Sequence, residues 1–112
     1  MEAPKGGDSP PLQNTHLADG TDVRKLCLAI ARHETRNCTD TIAPNNCVNI
    51  MTWERGYREG KSYTDPESSI QDCMALWAKH YKRFPDYALA DKYTGGDNVY
   101  GWLATVKQAY AE

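Results

Sequence analysis

The sequence contains no apolar run approaching the length of a membrane span, and residues 1–20 lack the apolar core of a signal peptide. It also lacks a strong charge of either sign, because 13 basic and 15 acidic residues leave a formal net charge of −2. Such a chain has no basic field to attract nucleic acid or anionic lipid. Any polymer that it binds should therefore be held by aromatic faces and hydrogen bonds, for which three Trp and seven Tyr are available.

Cysteine is scarce, with four residues, and the sequence has no CxxC pair and no zinc-ligand spacing. Four cysteines allow three complete pairings. Cys38 and Cys47 flank a short loop that contains Pro and Asn, so a local disulfide between them is the first choice. Cys27 and Cys73 lie on apolar faces of two predicted helices, and a second disulfide is favoured over two buried thiols. Disulfides would indicate an oxidising compartment, so an extracellular, periplasmic or cell-envelope location is expected.

The chain is long enough for one domain. Residues 1–20 contain three of the six prolines and few large apolar side chains. Because so little apolar surface cannot offset the entropy of ordering, this stretch is predicted to be a flexible tail or linker. The folded domain is predicted over residues 21–112, as a mainly α domain (α+β) with at most a small β element. Three main helices are expected to surround a loop-rich insert (residues 38–63).

The first predicted helix carries an acid on its apolar face. It begins at Thr21 or Asp22, either of which can cap it, and runs to about Arg36. One helical stripe of i, i+3, i+4, i+7 and i+11 spacing comprises Val23, Leu26, Cys27, Ile30 and Glu34. A sheltered carboxyl group either finds a partner or stays protonated near neutrality, when it can give a proton to a leaving oxygen beside a cleft. The alternative is a helix-end glutamate paired with Arg36 or a neighbouring cation.

The remaining helices have clear start and stop signals. Asp65 as a cap and proline at the first helical position begin the second long helix, and Pro85 stops it. A short helix over residues 86–93 should follow, and Asp97 is predicted to cap the third main helix. Large aromatic residues on these stripes are assigned to the core: Trp77, Tyr81, Phe84, Trp102 and Tyr110. The small β element is expected in the insert.

Four segments in order carry a family resemblance: AIARHET, NNCVNIM, SYTDPESSIQDCMALWAKHY and DKYTGGDNVYGWLATVKQAY. Together they resemble the lysozyme-like superfamily, and in particular small bacterial and phage peptidoglycan-cleaving domains of the lytic transglycosylase and glucosaminidase type. The resemblance covers about residues 21–110. It implies a lysozyme-like fold in which the first core helix ends at an acidic residue beside a sugar-binding cleft.

The resemblance also implies roles for individual residues. Glu34 matches the catalytic general acid/base, and Tyr93 matches an aromatic residue that faces this acid across the cleft. The segment that contacts the sugar matches Asn46, Asn49, Ile50 and Met51. Asn49 stands where the family usually has Gly. Asn tolerates a left-handed backbone, so the turn can survive, although the side chain could narrow the sugar subsite.

Two further features of the insert bear on function. Trp53, two residues after Met51, is the best loop candidate for a sugar platform. A second carboxylate would serve as nucleophile or base, and the candidates are Glu54, Glu59 and Asp65, with Asp65 favoured as a helix cap instead. Relatives of the transglycosylase type need no second acid, because the acetamido group of the substrate can assist.

The resulting expectation is a monomeric enzyme that cleaves β-1,4 glycosidic bonds in peptidoglycan glycan strands with Glu34 as general acid/base. It would act on peptidoglycan or N-acetylated sugar oligomers, as a muramidase, glucosaminidase or lytic transglycosylase, without a cofactor or metal. His33 is expected to be structural or exposed, and HETRN lacks the second His of an HExxH zinc site. The alternatives are an inactive lysozyme-like domain that binds glycan or an envelope protein, and a disulfide-bonded helical interaction domain.

Overall fold

The computed structural model of the protein describes residues 15–112. These residues form a mainly helical domain with four α-helices and one two-stranded antiparallel sheet, which confirms the predicted class. Residues 1–14 of the predicted tail lie outside the described residues. Its last part, residues 15–20, is bonded to the domain, since the backbone N–H of Phe84 donates to the Asp19 carboxylate at 2.8 Å. None of the helices in the described part is both long and apolar enough to span a bilayer.

The first helix, α1, spans Val23–Thr35. Its cap is Asp22, whose carboxylate accepts a hydrogen bond from the backbone N–H of Lys25 at 3.1 Å. The helix ends at Arg36, which has the left-handed φ of 49° that commonly terminates helices. The predicted apolar stripe is buried, and Glu34 at its end is partly buried.

The second helix, α2, spans Pro66–Leu76 and is capped by Asp65, as predicted. The helix continues as a π-helical turn over Trp77–Tyr81 and ends at Lys82, which has a left-handed φ of 66°. The prediction that Pro85 stops the helix is therefore wrong. Here the backbone N–H of Lys82 donates to the carbonyl of Trp77, five residues back, at 2.7 Å. The wider turn accompanies close packing of the Trp77 and Tyr81 rings, whose centroids lie 4.5 Å apart.

The C-terminal part contains α3 (Tyr87–Thr94) and α4 (Val99–Ala111). Asp86 caps α3, since its carboxylate accepts from the backbone N–H of Leu89 at 2.9 Å. The prediction that Asp97 caps the last helix is wrong. The N-cap is Asn98, with a left-handed φ of 48°, and its side chain makes no capping hydrogen bond. Asp97 is therefore left on the exposed turn between the two helices.

The small β element lies in the insert, as predicted. Strand β1 (Met51–Thr52) pairs antiparallel with β2 (Glu59–Gly60), and Met51 is opposite Gly60 in the register. The turn between the strands begins after Trp53, whose carbonyl accepts from the backbone N–H of Gly56 at 2.9 Å.

Both favoured disulfides are formed. Cys27–Cys73 joins α1 to α2, and Cys38–Cys47 closes the loop that follows α1. Helix α1 also packs against α4, which in turn packs against α3. Of the aromatic residues on the helical stripes, Trp77 and Trp102 are fully buried in this core. The other three are partly buried and pack against it: Tyr81, Phe84 and Tyr110. Two disulfides are compatible with an extracellular or periplasmic location.

Candidate active-site groove

A groove of about 280 Å³ lies at the C-terminal end of α1, which contributes His33 and Glu34. The insert forms one wall with Ile42, Asn49, Met51 and Arg58. The end of α3, the turn after it and α4 form another wall with Tyr93, Thr94, Asp97, Asn98 and Trp102. Three parts of the chain that are distant in sequence thus meet around a single partly buried glutamate.

Glu34 is held by two uncharged donors. The indole N–H of Trp102 donates to Oε1 at 2.8 Å, and the side-chain amide of Asn49 donates to Oε2 at 2.7 Å. Within residues 15–112 no ion pair involves Glu34, so the pairing with Arg36 or another cation that the sequence left open is not found there. Trp102 combines two roles, since its ring belongs to the core and its N–H reaches the groove.

The backbone conformation of Asn49 directs its side-chain amide toward Glu34. Its φ is +57°, in the left-handed region that Asn tolerates better than most residues. The buried Oδ1 of the same amide has no hydrogen-bond partner within the described residues. One end of the Asn49 amide therefore binds the acid, and the other end remains without a donor.

Tyr93 lies on the groove wall but is almost fully buried. Its hydroxyl donates a short hydrogen bond to the backbone carbonyl of Val48, and its ring centroid lies 5.1 Å from that of Trp102. Burial, with a further contribution from the negative charge of Glu34, raises the pKa of Tyr93 well above its usual value. The Tyr93 side chain thus stays neutral and anchors the segment that carries Asn49.

The other predicted sugar-binding residues occupy different environments. Met51 lines the groove, whereas Asn46 and Ile50 are fully buried. The Asn46 amide donates to the carbonyls of Ile50 at 2.7 Å and Lys61 at 2.9 Å, so it braces the loop. Any effect of Asn46 and Ile50 on a ligand would be indirect.

Trp53 is 57% exposed and does not line the groove. It follows β1 at a position two residues beyond Met51. The role of Trp53 as a sugar platform stays a prediction.

The three carboxylates suggested for a second acid lie outside the groove lining. Glu59 pairs with Arg55 at 2.6 Å, and Asp65 accepts the backbone N–H of Ser68 at 2.8 Å as a helix cap. Glu54 is exposed on the insert. Asp97, which had been assigned to a helix cap, is instead the carboxylate that shares the groove with Glu34.

Seven residues of the groove lining are not among the predicted site residues: His33, Ile42, Arg58, Thr94, Asp97, Asn98 and Trp102. His33 was expected to be structural or exposed, and it is partly buried at the groove wall. The glycine pair before Asp97 was a usable signal, because it predicts a sharp turn that presents the next side chain to solvent.

Within the described part of the chain, no group of three or more His, Cys, Asp or Glu residues could hold a metal ion. Comparisons with protein-family models, with curated proteins and with solved structures found no match to this chain.

Proposed function

We propose that this protein is a lysozyme-like enzyme that cleaves β-1,4 glycosidic bonds in peptidoglycan glycan strands, with Glu34 as general acid/base. The observation that carries the proposal is the environment of Glu34. This carboxyl group ends an apolar helix face, is bound by two uncharged N–H groups and opens onto a groove. A glutamate with a cation as partner would instead be expected to serve the fold.

The chemistry requires a proton for the leaving oxygen and stabilisation of an oxocarbenium-like centre. Glu34 would supply the proton once a glycan lies in the groove and solvent is displaced from the acid. Trp102 and Asn49 would keep the carboxyl group oriented during this transfer. The protein needs no bound cofactor for these steps.

The substrate proposed here is peptidoglycan, or oligomers of N-acetylated sugars. Met51 and Asn49 would contact the sugar in the groove, and Trp53 would offer an aromatic face beside it. The two disulfides support action outside the cytoplasm, in the periplasm or at the cell envelope.

The direct test is Glu34→Gln, assayed for clearing of purified peptidoglycan. We expect loss of at least about 100-fold in rate, because general acid catalysis alone contributes about 10²–10⁴-fold. The matched control is Glu54→Gln, which removes an exposed carboxylate of the insert and should retain the activity of the unmodified protein. Thermal unfolding of both variants checks that the fold persists. Clearing by a folded Glu34→Gln variant at the unmodified rate would refute the assignment.

A second candidate is a lysozyme-like domain that binds glycan, or a partner in the envelope, without cleaving it. Both oxygens of Glu34 are already hydrogen-bonded to the protein, and the Asn49 side chain fills a position where the resembled family usually has Gly. Titration with chitooligosaccharide or muropeptide, run beside the turnover assay, separates the two candidates. Binding without turnover would favour the second one.

A further inference from the structure

The groove contains a second carboxylate at a place that suits a reaction. Asp97 lies on the turn between α3 and α4, lines the groove and is exposed. No hydrogen bond or ion pair engages its side chain within residues 15–112. This separates Asp97 from Glu59, which is paired with Arg55, and from Asp65, which caps a helix. Its oxygens are therefore available to a water molecule or a ligand.

The turn presents Asp97 in a defined position. Gly95 and Gly96 before it have φ of 69° and 88°, and Asn98 after it has φ of 48°. The backbone N–H of Gly96 donates to the carbonyl of Asp91 at 3.1 Å, which ties the turn to the end of α3. Left-handed residues on both sides of Asp97 allow the chain to reverse without using its carboxylate as a helix cap.

Glu34 and Asp97 line different walls of a groove of about 280 Å³. Because Asp97 is exposed, water can reach its carboxylate directly. In inverting glycosidases the acid and the base are separated by about 6.5–9.5 Å. That separation leaves room for a water molecule on the face of the sugar away from the leaving group. Retaining enzymes place the two groups closer, at about 5–5.5 Å.

We infer, on the basis of the proposed function, that Asp97 is the general base of a hydrolysis that inverts the anomeric carbon. Asp97 takes a proton from water while the water oxygen bonds to the anomeric carbon. The bond from that carbon to the glycosidic oxygen breaks, and Glu34 gives its proton to the departing oxygen. Solvent then returns the proton from Asp97 to Glu34, so atoms and charges balance over the cycle.

The experiment follows purified glycan strands and chitooligosaccharide by proton NMR, recording the first anomer formed, together with kcat and KM. The unmodified protein should release the α-anomer from its β-linked substrate. Asp97→Asn should lower kcat about 100-fold or more with KM within about threefold, because the change removes a proton acceptor and keeps the shape. Asp91→Asn is the matched control, since Asp91 is an exposed aspartate of the same region outside the groove lining, and it should retain activity.

Three results would overturn the inference while leaving Glu34 as the acid. These are an initial β-anomer, a 1,6-anhydro product from attack by the sugar's own hydroxyl, and an Asp97→Asn variant as active as Asp91→Asn. Each is read against Glu34→Gln, which must be inactive for the proposed function to hold. If the unmodified protein turns over neither substrate, the proposed function fails, and the role of Asp97 fails with it.

Discussion

Asp72 and Glu34 are both acids on inward-facing helix positions, but their partners differ in charge. Asp72, on α2, is fully buried, and its Oδ2 accepts from the Lys61 ammonium at 3.1 Å and from the Tyr63 hydroxyl at 2.6 Å. Glu34, on α1, is partly buried and accepts from two neutral N–H groups beside a groove.

The difference separates an acid with a cationic partner in the core from an acid with neutral partners beside a groove. A buried ion pair with further hydrogen bonds compensates the desolvation of both charges, and removing one partner is strongly destabilising. Neutral donors orient a carboxyl group without supplying an opposite charge, and the groove gives a ligand access to it. The partners of a sheltered acid are therefore more informative about function than its burial alone.

The largest effect is expected at the buried pair. Asp72→Asn keeps the shape but removes the negative charge that Lys61 faces, so the free energy of unfolding should fall by about 3–5 kcal/mol. Urea denaturation monitored by tryptophan fluorescence measures the change. The control is Glu67→Gln, which breaks a surface pair with Arg24 and should lower stability by no more than about 1 kcal/mol. Equal losses of stability in the two variants would mean that the buried pair of Asp72 and Lys61 holds the fold no more strongly than a surface pair.

An intermediate effect is expected at Tyr93. Tyr93→Phe removes the hydrogen bond to the Val48 carbonyl, which should lower stability at neutral pH by about 1–2 kcal/mol. Because burial raises the pKa of Tyr93, the folded state keeps this proton when the unfolded state begins to lose it above about pH 10. The stability of the unmodified protein should therefore fall as the pH rises past this value, and the fall should be smaller in Tyr93→Phe.

Urea midpoints measured from about pH 7 to about pH 11 give the dependence of stability on pH in both proteins. The control is Tyr100→Phe, because Tyr100 is 76% exposed and its removal should leave the alkaline slope unchanged. An unchanged slope in Tyr93→Phe would mean that its hydroxyl is not the group that retains the proton.

The smallest effect on stability is expected at Asn49. Asn49→Gly suits the left-handed backbone and removes one partly buried hydrogen bond, so stability should change by less than about 1 kcal/mol. Because the Asn49 amide orients Glu34 in the proposed mechanism, its loss should lower glycan turnover by up to about tenfold, which is the energy of one hydrogen bond. Unchanged or increased turnover at unchanged stability would show that the Asn49 amide does not position the acid.

Local signals predicted most of the scaffold. Asp22 and Asp65 cap their helices, the helical stripe of α1 is buried, and the two favoured cysteine pairs are bonded. The π-helical turn at Trp77–Tyr81 was not predicted, because the same apolar spacing fits a regular helix. The cap of α4 was misassigned to Asp97 since aspartate is a frequent N-cap, whereas the backbone reverses one residue later.

The sequence predicted fewer features of the groove than of the helical scaffold. Helical spacing predicted that Glu34 would end an apolar stripe, and the motifs placed Met51 near it. Arg58 and Asp97 are exposed residues of turns without periodicity, so only the tertiary structure brings them to the groove. The helical spacing of Trp102 predicts that its ring is buried in the core. The same spacing does not predict that its N–H donates to Glu34.

The loop closed by Cys38–Cys47 affects how the groove is assembled. Glu34 and Asn49 are 15 residues apart in the sequence, yet Glu34 lies four residues before one cysteine and Asn49 two residues after the other. Once the thiols are oxidised, much of the entropy lost in bringing the two side chains together has already been lost through the covalent link. The hydrogen bond between Glu34 and Asn49 then has a smaller entropy cost to offset. Its formation is thereby coupled to oxidation of Cys38 and Cys47.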